Sequence, residues 1–130
     1  MKQLVSVLRN QQGFIYTGGV EEQKIEEAEE ALGLVFSSEY RSYLLAFGSA
    51  SYYGHELTGI SSSSRISVVS VTMAEKEFNE SVPAGWYAIE RTGLDGIVIW
   101  QSGNGWIYQT SPNAEPMQIA SSFVEYVTRY

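Results

Sequence analysis

The side chains that could act in acid–base or nucleophilic catalysis are few in this sequence. His55 is the single histidine and there is no cysteine, which excludes thiolate chemistry and a histidine-rich metal site. The nearest serines are Ser49 and Ser51, and no Gly-x-Ser-x-Gly motif presents a nucleophile. Because a catalytic triad needs three converging groups, we interpret His55 as a surface residue of a loop rather than as a base.

Two carboxylates give the other candidate for catalysis. Glu90 and Asp95 could be imagined as the acidic pair of a glycoside hydrolase. They flank a predicted hairpin turn, however, where Asp is favoured for its backbone conformation. The segment Gly103–Gly105 lacks the third glycine and the following helix of a phosphate-binding loop. The sequence therefore predicts no catalytic residue, no metal site and no cofactor, and a protein that is not an enzyme.

A pair of tyrosines in a predicted loop indicates binding instead. Tyr52 and Tyr53 are followed closely by His55 and Glu56. Tyrosine is enriched in binding hot spots, and loops carry function more often than scaffolds do. The alternative is that one tyrosine folds back as a lid over the core, and the sequence favours neither. We take these four residues as candidates for a partner-binding site.

The charge of the chain suggests what such a partner would be. Acidic residues number 15 and basic residues 8, so the net charge is −7. This charge repels nucleic acid and anionic membranes and attracts a basic protein, although keeping the chain soluble is the simpler explanation. We therefore expect no direct binding to nucleic acid or to a membrane. Asp95, in a predicted hairpin loop, is added to the candidate site as an acidic contributor.

Length and composition predict one globular domain over residues 1–130. The hydrophobic fraction is 44% and the charged fraction 18%. The segment Met1–Asn10 lacks the unbroken apolar run of a signal peptide, and no stretch has the length of a membrane span. Together with the absence of cysteine, these features favour the cytoplasm.

Helical patterns occupy the first third of the sequence. A short helix is predicted before Gly13, and a second runs from Glu21 to a C-terminal stop at Gly33. A third begins after Ser37, a good N-cap, and ends at Gly48. Its apolar stripe, which we expect in the core, is Tyr40, Tyr43, Leu44 and Phe47.

The middle of the chain is predicted to contain two strands and a short helix. Glu56–Ile60 is predicted to be a strand, and Ile66–Val71 is rich in the β-branched residues that suit another. Thr72 and Glu75 have the spacing of a capping box, so a short helix should start at Thr72.

The second half predicts a β-meander. Asp95-Gly96 and Asn104-Gly105 are typical of tight hairpins, and Ser122 with Glu125 predicts the cap of a final helix. The expected fold is α+β: N-terminal helices, an antiparallel meander of about four or more strands, and a C-terminal helix. The predicted strands are Trp86–Arg91, Ile97–Gln101, Trp106–Thr110 and Glu115–Ala120.

The segment Ile25–Gly48 resembles the Smi/Knr family of the SUKH superfamily. That family shows an Ile, a Glu four residues later, a Leu-Gly pair, and then a helix with Tyr and Leu before a Gly. The matching residues here are Ile25, Glu29, Leu32, Gly33, Tyr40, Leu44 and Gly48, followed later by Glu56–Ile60, Pro83, Ala88, Ile89, Phe123 and Tyr126. The family's usual Leu-Pro is replaced by Val35–Ser37, where Ser37 can start the helix by capping it.

The resemblance implies a function but no catalytic residues. Bacterial members of the family look like immunity proteins encoded beside toxins of contact-dependent or polymorphic systems, and many of those toxins are nucleases. Eukaryotic relatives are scaffolding regulators of cell-wall signalling. The resemblance thus implies an antitoxin whose partner is a cognate toxin, basic and with nuclease activity, with a regulatory scaffold as the alternative.

Overall fold

The computed structural model describes residues 2–130, and for Lys2 it describes the backbone alone. This part of the chain forms helices at both ends of the sequence and two antiparallel sheets, which confirms the predicted α+β class. The helices are α1 Lys2–Arg9, α2 Glu22–Leu32, α3 Ser38–Phe47, α4 Val68–Phe78 and α5 Phe123–Arg129. The strands are β1 Ile15–Tyr16, β2 Ala50–Tyr52, β3 His55–Glu56, β4 Tyr87–Arg91, β5 Val98–Gln101, β6 Ile107–Thr110 and β7 Met117–Ala120.

The N-terminal helices begin and end where their capping residues predict. Gly33 ends α2 in the left-handed conformation, with φ of 68°. The Ser37 hydroxyl accepts a hydrogen bond from the backbone N–H of Tyr40 at 3.1 Å and so caps α3. All four residues of the predicted apolar stripe of α3 are fully buried. This part of the sequence-based prediction is confirmed.

The predicted meander is also confirmed. Strands β4 to β7 form one antiparallel sheet in chain order. The first hairpin turns through Asp95 and Gly96, with φ of 52° and 72°, and the second turns through Gly105, with φ of 97°. Positive φ at these positions is what Asp-Gly and Asn-Gly pairs tolerate well. Ser122 caps α5 by accepting from the backbone N–H of Glu125 at 3.0 Å.

The prediction for residues 66–72 is wrong. Residues from Val68 onward form α4 instead of a strand, and Ser67 is its N-cap, accepting from the backbone N–H of Ser70 at 3.3 Å. Thr72 lies buried inside α4, where its hydroxyl accepts from the backbone N–H of Ala88 at 2.9 Å. β-Branched residues adopt the helix here because their burial against β4 outweighs their weak helical disadvantage.

The prediction for residues 49–60 also needs correction. The segment taken as a loop contains β2, which joins β1 and β3 in a small sheet of order β1-β2-β3. The predicted strand Glu56–Ile60 is shorter than expected, because β3 covers only His55–Glu56. Beyond it, Leu57 and Gly59 make isolated bridges to Glu90 and Ser67.

The four-stranded sheet separates two apolar clusters. One face packs against the helices α1, α2, α3 and α5 through Tyr87, Ile89, Ile99 and Ile107. The other face meets α4, where Val71, Ala88, Val98 and Trp100 pack together with Val82. Burial falls from β5, which is wholly buried, to β7, which is mostly exposed. The second face is therefore covered by α4 at one side only.

Candidate partner-binding site

The β2–β3 hairpin presents one tyrosine to solvent. Its two-residue turn is Tyr53-Gly54, with Gly54 at φ of 80°. The Tyr53 side chain is 79% exposed, and its backbone N–H donates to the carbonyl of Gln12 at 2.9 Å. The turn is thus fixed by the chain before β1 while the ring stays free for contact. A turn that is already ordered has little backbone freedom to lose on binding.

The neighbouring tyrosine points the other way, as successive residues of a strand do. Tyr52 is buried, and its ring stacks on that of His55 with centroids 4.7 Å apart. Within residues 3–130 its hydroxyl has no hydrogen-bond partner. Burial raises the pKa of this phenol, and the nearby Glu90 carboxylate adds to the shift. The sequence left open whether these tyrosines form a contact surface or whether one of them folds back over the core. In the structure Tyr52 folds back, and Tyr53 is exposed.

His55 links three parts of the fold. Its Nδ1 lies 3.0 Å from Oε2 of Glu90, and its Nε2 lies 3.0 Å from the backbone carbonyl oxygen of Tyr130. A carbonyl only accepts hydrogen bonds, so Nε2 carries a proton. The interpretation of His55 as a surface loop residue is wrong, because β3 holds it against β4 and the residue that follows α5.

Glu90 is the buried centre of this cluster, at 2% exposure. A buried carboxylate is costly unless it is paired and hydrogen-bonded. His55 pairs with it, and the Tyr126 hydroxyl donates to its Oε1 at 2.5 Å. Burial is the first cause that raises the pKa of Tyr126, and the charge of Glu90 is the second. Glu90 and Asp95 do not converge, since Asp95 lies exposed in the β4–β5 turn.

Sequence reasoning missed the contact between Glu90 and His55 because a β-bulge sets the face of the sheet on which Glu90 lies. Strand pairing shifts between Ala88 and Glu90, so that Glu90 lies opposite Ile99 on the inner face of the sheet. Strict alternation along β4 would have put Glu90 on the same face as Ala88. The sequence carries no signal for this bulge.

Glu56 lies on the outer face of the small sheet. The register places Ile15 opposite Ser51, and Ser51 opposite Glu56. Ile15 is 66% exposed, and Glu56 forms an exposed ion pair with Arg65. Together with Tyr53 at the turn, these residues make one solvent-facing surface, which we call the hairpin face (Ile15, Ser51, Tyr53 and Glu56).

Asp95 belongs to the neighbouring loop. A small cavity of about 210 Å³ is lined by Glu56 on one side and by Gly93 of the β4–β5 loop on the other. The structure therefore brings the loop that carries Asp95 close to the hairpin face. Of the five candidate residues, Tyr53, Glu56 and Asp95 are exposed, whereas Tyr52 and His55 support the hairpin from behind.

Other polar side chains in the first half of the chain organise the fold. Glu29 accepts from the backbone N–H of Phe36 at 2.9 Å and pairs with Arg41 at 2.8 Å, so it hydrogen-bonds inward. Glu39, which sequence reasoning missed, is buried and accepts from the backbone N–H groups of Phe123 and Val124, so it caps α5. The acidic first turn of α3 was its only signal.

The described residues offer few side chains for metal binding or nucleophilic catalysis. Among residues 3–130 no group of three or more His, Asp or Glu side chains is arranged to hold a metal ion. The Ser49 hydroxyl is 3.0 Å from that of Thr17, whereas His55 hydrogen-bonds to Glu90 and Tyr130. Over the same described range, no helix is long and apolar enough to cross a membrane.

Comparison with known families agrees with the fold. The family model SUKH_5, described as SMI1-KNR4 cell-wall, matches the chain over residues 1–130. The chain belongs to this SUKH family, which confirms the resemblance drawn from Ile25–Gly48. None of the curated proteins matches the chain. Membership of the family favours a role in protein–protein interaction.

Proposed function

We propose that this protein is a cytoplasmic immunity protein, a single domain over residues 1–130, that binds and neutralises a cognate bacterial toxin. The toxin class we propose is a basic nuclease of a polymorphic or contact-dependent system. The observation that carries the proposal is Tyr53, 79% exposed on a turn held by a backbone hydrogen bond, in a SUKH chain of net charge −7. An exposed tyrosine on a fixed turn is suited to binding and contributes nothing to the core.

In the proposed mechanism, one residue controls how slowly the complex dissociates, and other residues control how fast it forms. Tyr53 would enter a pocket of the toxin and control dissociation, as buried aromatic anchors do. Exposed carboxylates such as Glu56 and Asp95 would raise the association rate of a basic partner, and this effect falls with salt. A nuclease presents cations to phosphates, so carboxylates on this face would occupy the places of phosphate groups.

The His55–Glu90 pair has a positioning role in this proposal. It holds β3 against β4 and so keeps the turn of Tyr53 in place, without touching the partner itself. Inhibition by binding needs no bond-making step, and we propose that the protein acts without catalysis. Purified protein should accordingly show no hydrolase or transferase turnover, with or without added divalent metal.

The direct test uses the product of the neighbouring gene. If that gene encodes a toxin, co-expression of this protein should restore growth, and the two proteins should co-purify. Tyr53→Ala should shorten the lifetime of the complex by about 30-fold, the equivalent of about 2 kcal/mol. Val35→Ala is the matched control, since Val35 is an exposed apolar residue away from the hairpin face. Growth arrest despite co-expression would contradict the proposal.

The alternative is a regulatory scaffold of the cell-wall signalling type, which the description of the matching family favours. A scaffold would bind signalling proteins and would give no protection against a toxin. Protection from the neighbouring gene product therefore discriminates between the two functions. A complex with cell-wall signalling proteins, formed without any such protection, would favour the scaffold.

A further inference from the structure

A groove lies on the second face of the four-stranded sheet, beyond the edge that α4 covers. Its volume is about 610 Å³, within the range of roughly 300–1,000 Å³ that is usual for binding pockets. The C-terminal end of α4 forms one wall, and the turn of residues 111–115 between β6 and β7 forms the other. It shares no lining residue with the hairpin face, and it does not depend on the proposed function.

The floor of the groove is apolar and rigid. Val98 and Trp100 lie just beneath it, and both are almost completely buried in the cluster under α4. The indole N–H of Trp100 donates to the hydroxyl of Thr110 at 2.8 Å, so the floor offers no unpaired donor. At one end Gly96 lies against Pro112, where a Cβ would come within 2.9 Å of the proline ring. The two hairpin turns thus close that end.

The rim carries an aromatic side chain with no packing role. Phe78, the last residue of α4, is 85% exposed beside the groove. An exposed phenyl ring gains almost no burial on folding, since its apolar surface stays in water as in the unfolded chain. Large exposed apolar groups at the edge of a cavity mark interaction sites. Phe78 on one wall and the exposed Pro112 and Ala114 on the other would contact one apolar side chain of a partner.

The charged side chains that line the groove are acidic. Glu75 and Glu115 line it, and the described lining contains no Lys or Arg. Glu115 is exposed and has no ion-pair partner within residues 3–130. Glu75 pairs through Oε2 with Arg91 at 2.7 Å, which leaves Oε1 for a second donor. An occupant with a cation beside its apolar side chain complements this arrangement.

We infer that the groove binds a peptide segment of a partner protein in which an aromatic or large aliphatic side chain is flanked by Lys or Arg. The apolar side chain lies between Phe78 and Pro112, above the buried Val98 and Trp100, and the cation lies between Glu75 and Glu115. A small polar ligand fits the site less well, because the indole N–H of Trp100 already donates to the hydroxyl of Thr110.

The test follows the indole N–H signal of Trp100 by NMR during titration with a capped peptide of sequence Gly-Arg-Phe-Arg-Gly. The three Trp residues give three such signals, and Trp86→Phe and Trp106→Phe assign them by elimination. The Trp100 signal should shift with saturation. The peptides Gly-Glu-Phe-Glu-Gly and Gly-Arg-Ala-Arg-Gly should bind at least about tenfold more weakly, since each lacks one half of the complementarity.

Variants assign the binding to the groove. Phe78→Ala should weaken it by about fivefold or more, and Glu115→Gln by about twofold to threefold with a smaller dependence on salt. Met73→Ala and Glu77→Gln are matched controls on α4, exposed and outside the groove, and should bind as the parent does. Far-UV circular dichroism checks that each variant is folded.

Three outcomes would overturn the inference. One is a Trp100 signal that stays unchanged at millimolar peptide. Another is equal binding of the basic and acidic peptides, or binding that Phe78→Ala and Glu115→Gln leave unaltered. The third is a dimer in sedimentation that competes with the peptide, which would assign the groove to a second copy of this chain.

Discussion

His55 and Glu90 join the two sheets of the protein. Nδ1 of His55 in β3 lies 3.0 Å from Oε2 of Glu90 in β4, and Glu90 is almost completely buried. The strands that carry them are only two and five residues long. This polar contact and the bridge between Leu57 and Glu90 together hold the small sheet against the large one.

Removing His55 should destabilise the fold by leaving the buried carboxylate with a single donor. We expect His55→Ala to lower the free energy of unfolding by about 2 kcal/mol, less than the roughly 3–5 kcal/mol of a fully buried pair, because His55 is partly exposed. Adding Glu90→Gln to His55→Ala should recover part of the loss, since the amide carries no charge. Urea denaturation measures both changes. A double variant less stable than His55→Ala would show that the unpaired charge is not the cause.

Leu44 and Leu45 are neighbours on α3 with opposite environments, fully buried and 47% exposed respectively. Leu44→Ala should lower the free energy of unfolding by about 2–5 kcal/mol, through lost burial and a cavity. Leu45→Ala should change it by no more than about 0.5 kcal/mol, as exposed substitutions do. Equal denaturation midpoints for the two variants would contradict the placement of the stripe.

Glu39 should matter for α5 although it lies in α3. Its carboxylate accepts from the backbone N–H groups of Phe123 and Val124 at 2.9 and 3.1 Å. Glu39→Ala leaves these donors unpaired and should cost about 1–3 kcal/mol. Glu30→Ala, an exposed position on α2, is the control. Hydrogen exchange should show faster exchange of the first amides of α5 in Glu39→Ala alone.

Buried tyrosines should make the fold sensitive to alkali. Burial raises the pKa of five of them, Tyr40, Tyr43, Tyr52, Tyr87 and Tyr126, above the ordinary value of 10.0. A pKa raised by folding contributes stability that is complete below pH 10.0 and is lost as the pH rises further, because the unfolded chain releases these protons first.

Ultraviolet absorbance of tyrosinate, followed together with circular dichroism, checks this expectation. Part of the signal should appear only with unfolding, in one cooperative step. Complete ionisation of all nine tyrosines near pH 10.0 in a chain that keeps its native spectrum would contradict the role of burial.

Charge reversal on the hairpin face and at the neighbouring Asp95 should separate the effect of charge on association from the effect of Tyr53 on dissociation. Glu56→Lys and Asp95→Lys should slow association with the proposed toxin partner mainly at low salt and leave dissociation nearly unchanged. Tyr53→Ala should instead speed dissociation at every salt concentration. Surface-immobilised kinetics over a salt series distinguishes these effects. If all three variants behave as the parent, the contact lies elsewhere, and the acidic face of α2 becomes the next candidate.

Local patterns were sufficient to predict most of the secondary structure. Ser37, Gly33 and the Asp95-Gly96 turn act through their own backbone or through residues a few positions away, so their effects can be inferred from a short stretch of sequence. The apolar stripe of α3 was predicted for the same reason, since its period repeats within one helix. The family resemblance also rested on this segment.

Contacts between distant residues decided what remained. Residues 66–71 have strand propensity, yet Ser67 and packing against β4 make the residues from Val68 onward helical. Glu90 turns inward through a bulge and meets His55, which is 35 positions away in sequence. Tyr52 and Tyr53 are alike in type, and only the sheet that contains β2 buries one and exposes the other. Burial depends on what the rest of the chain places nearby, so tertiary structure alone assigned these residues their roles.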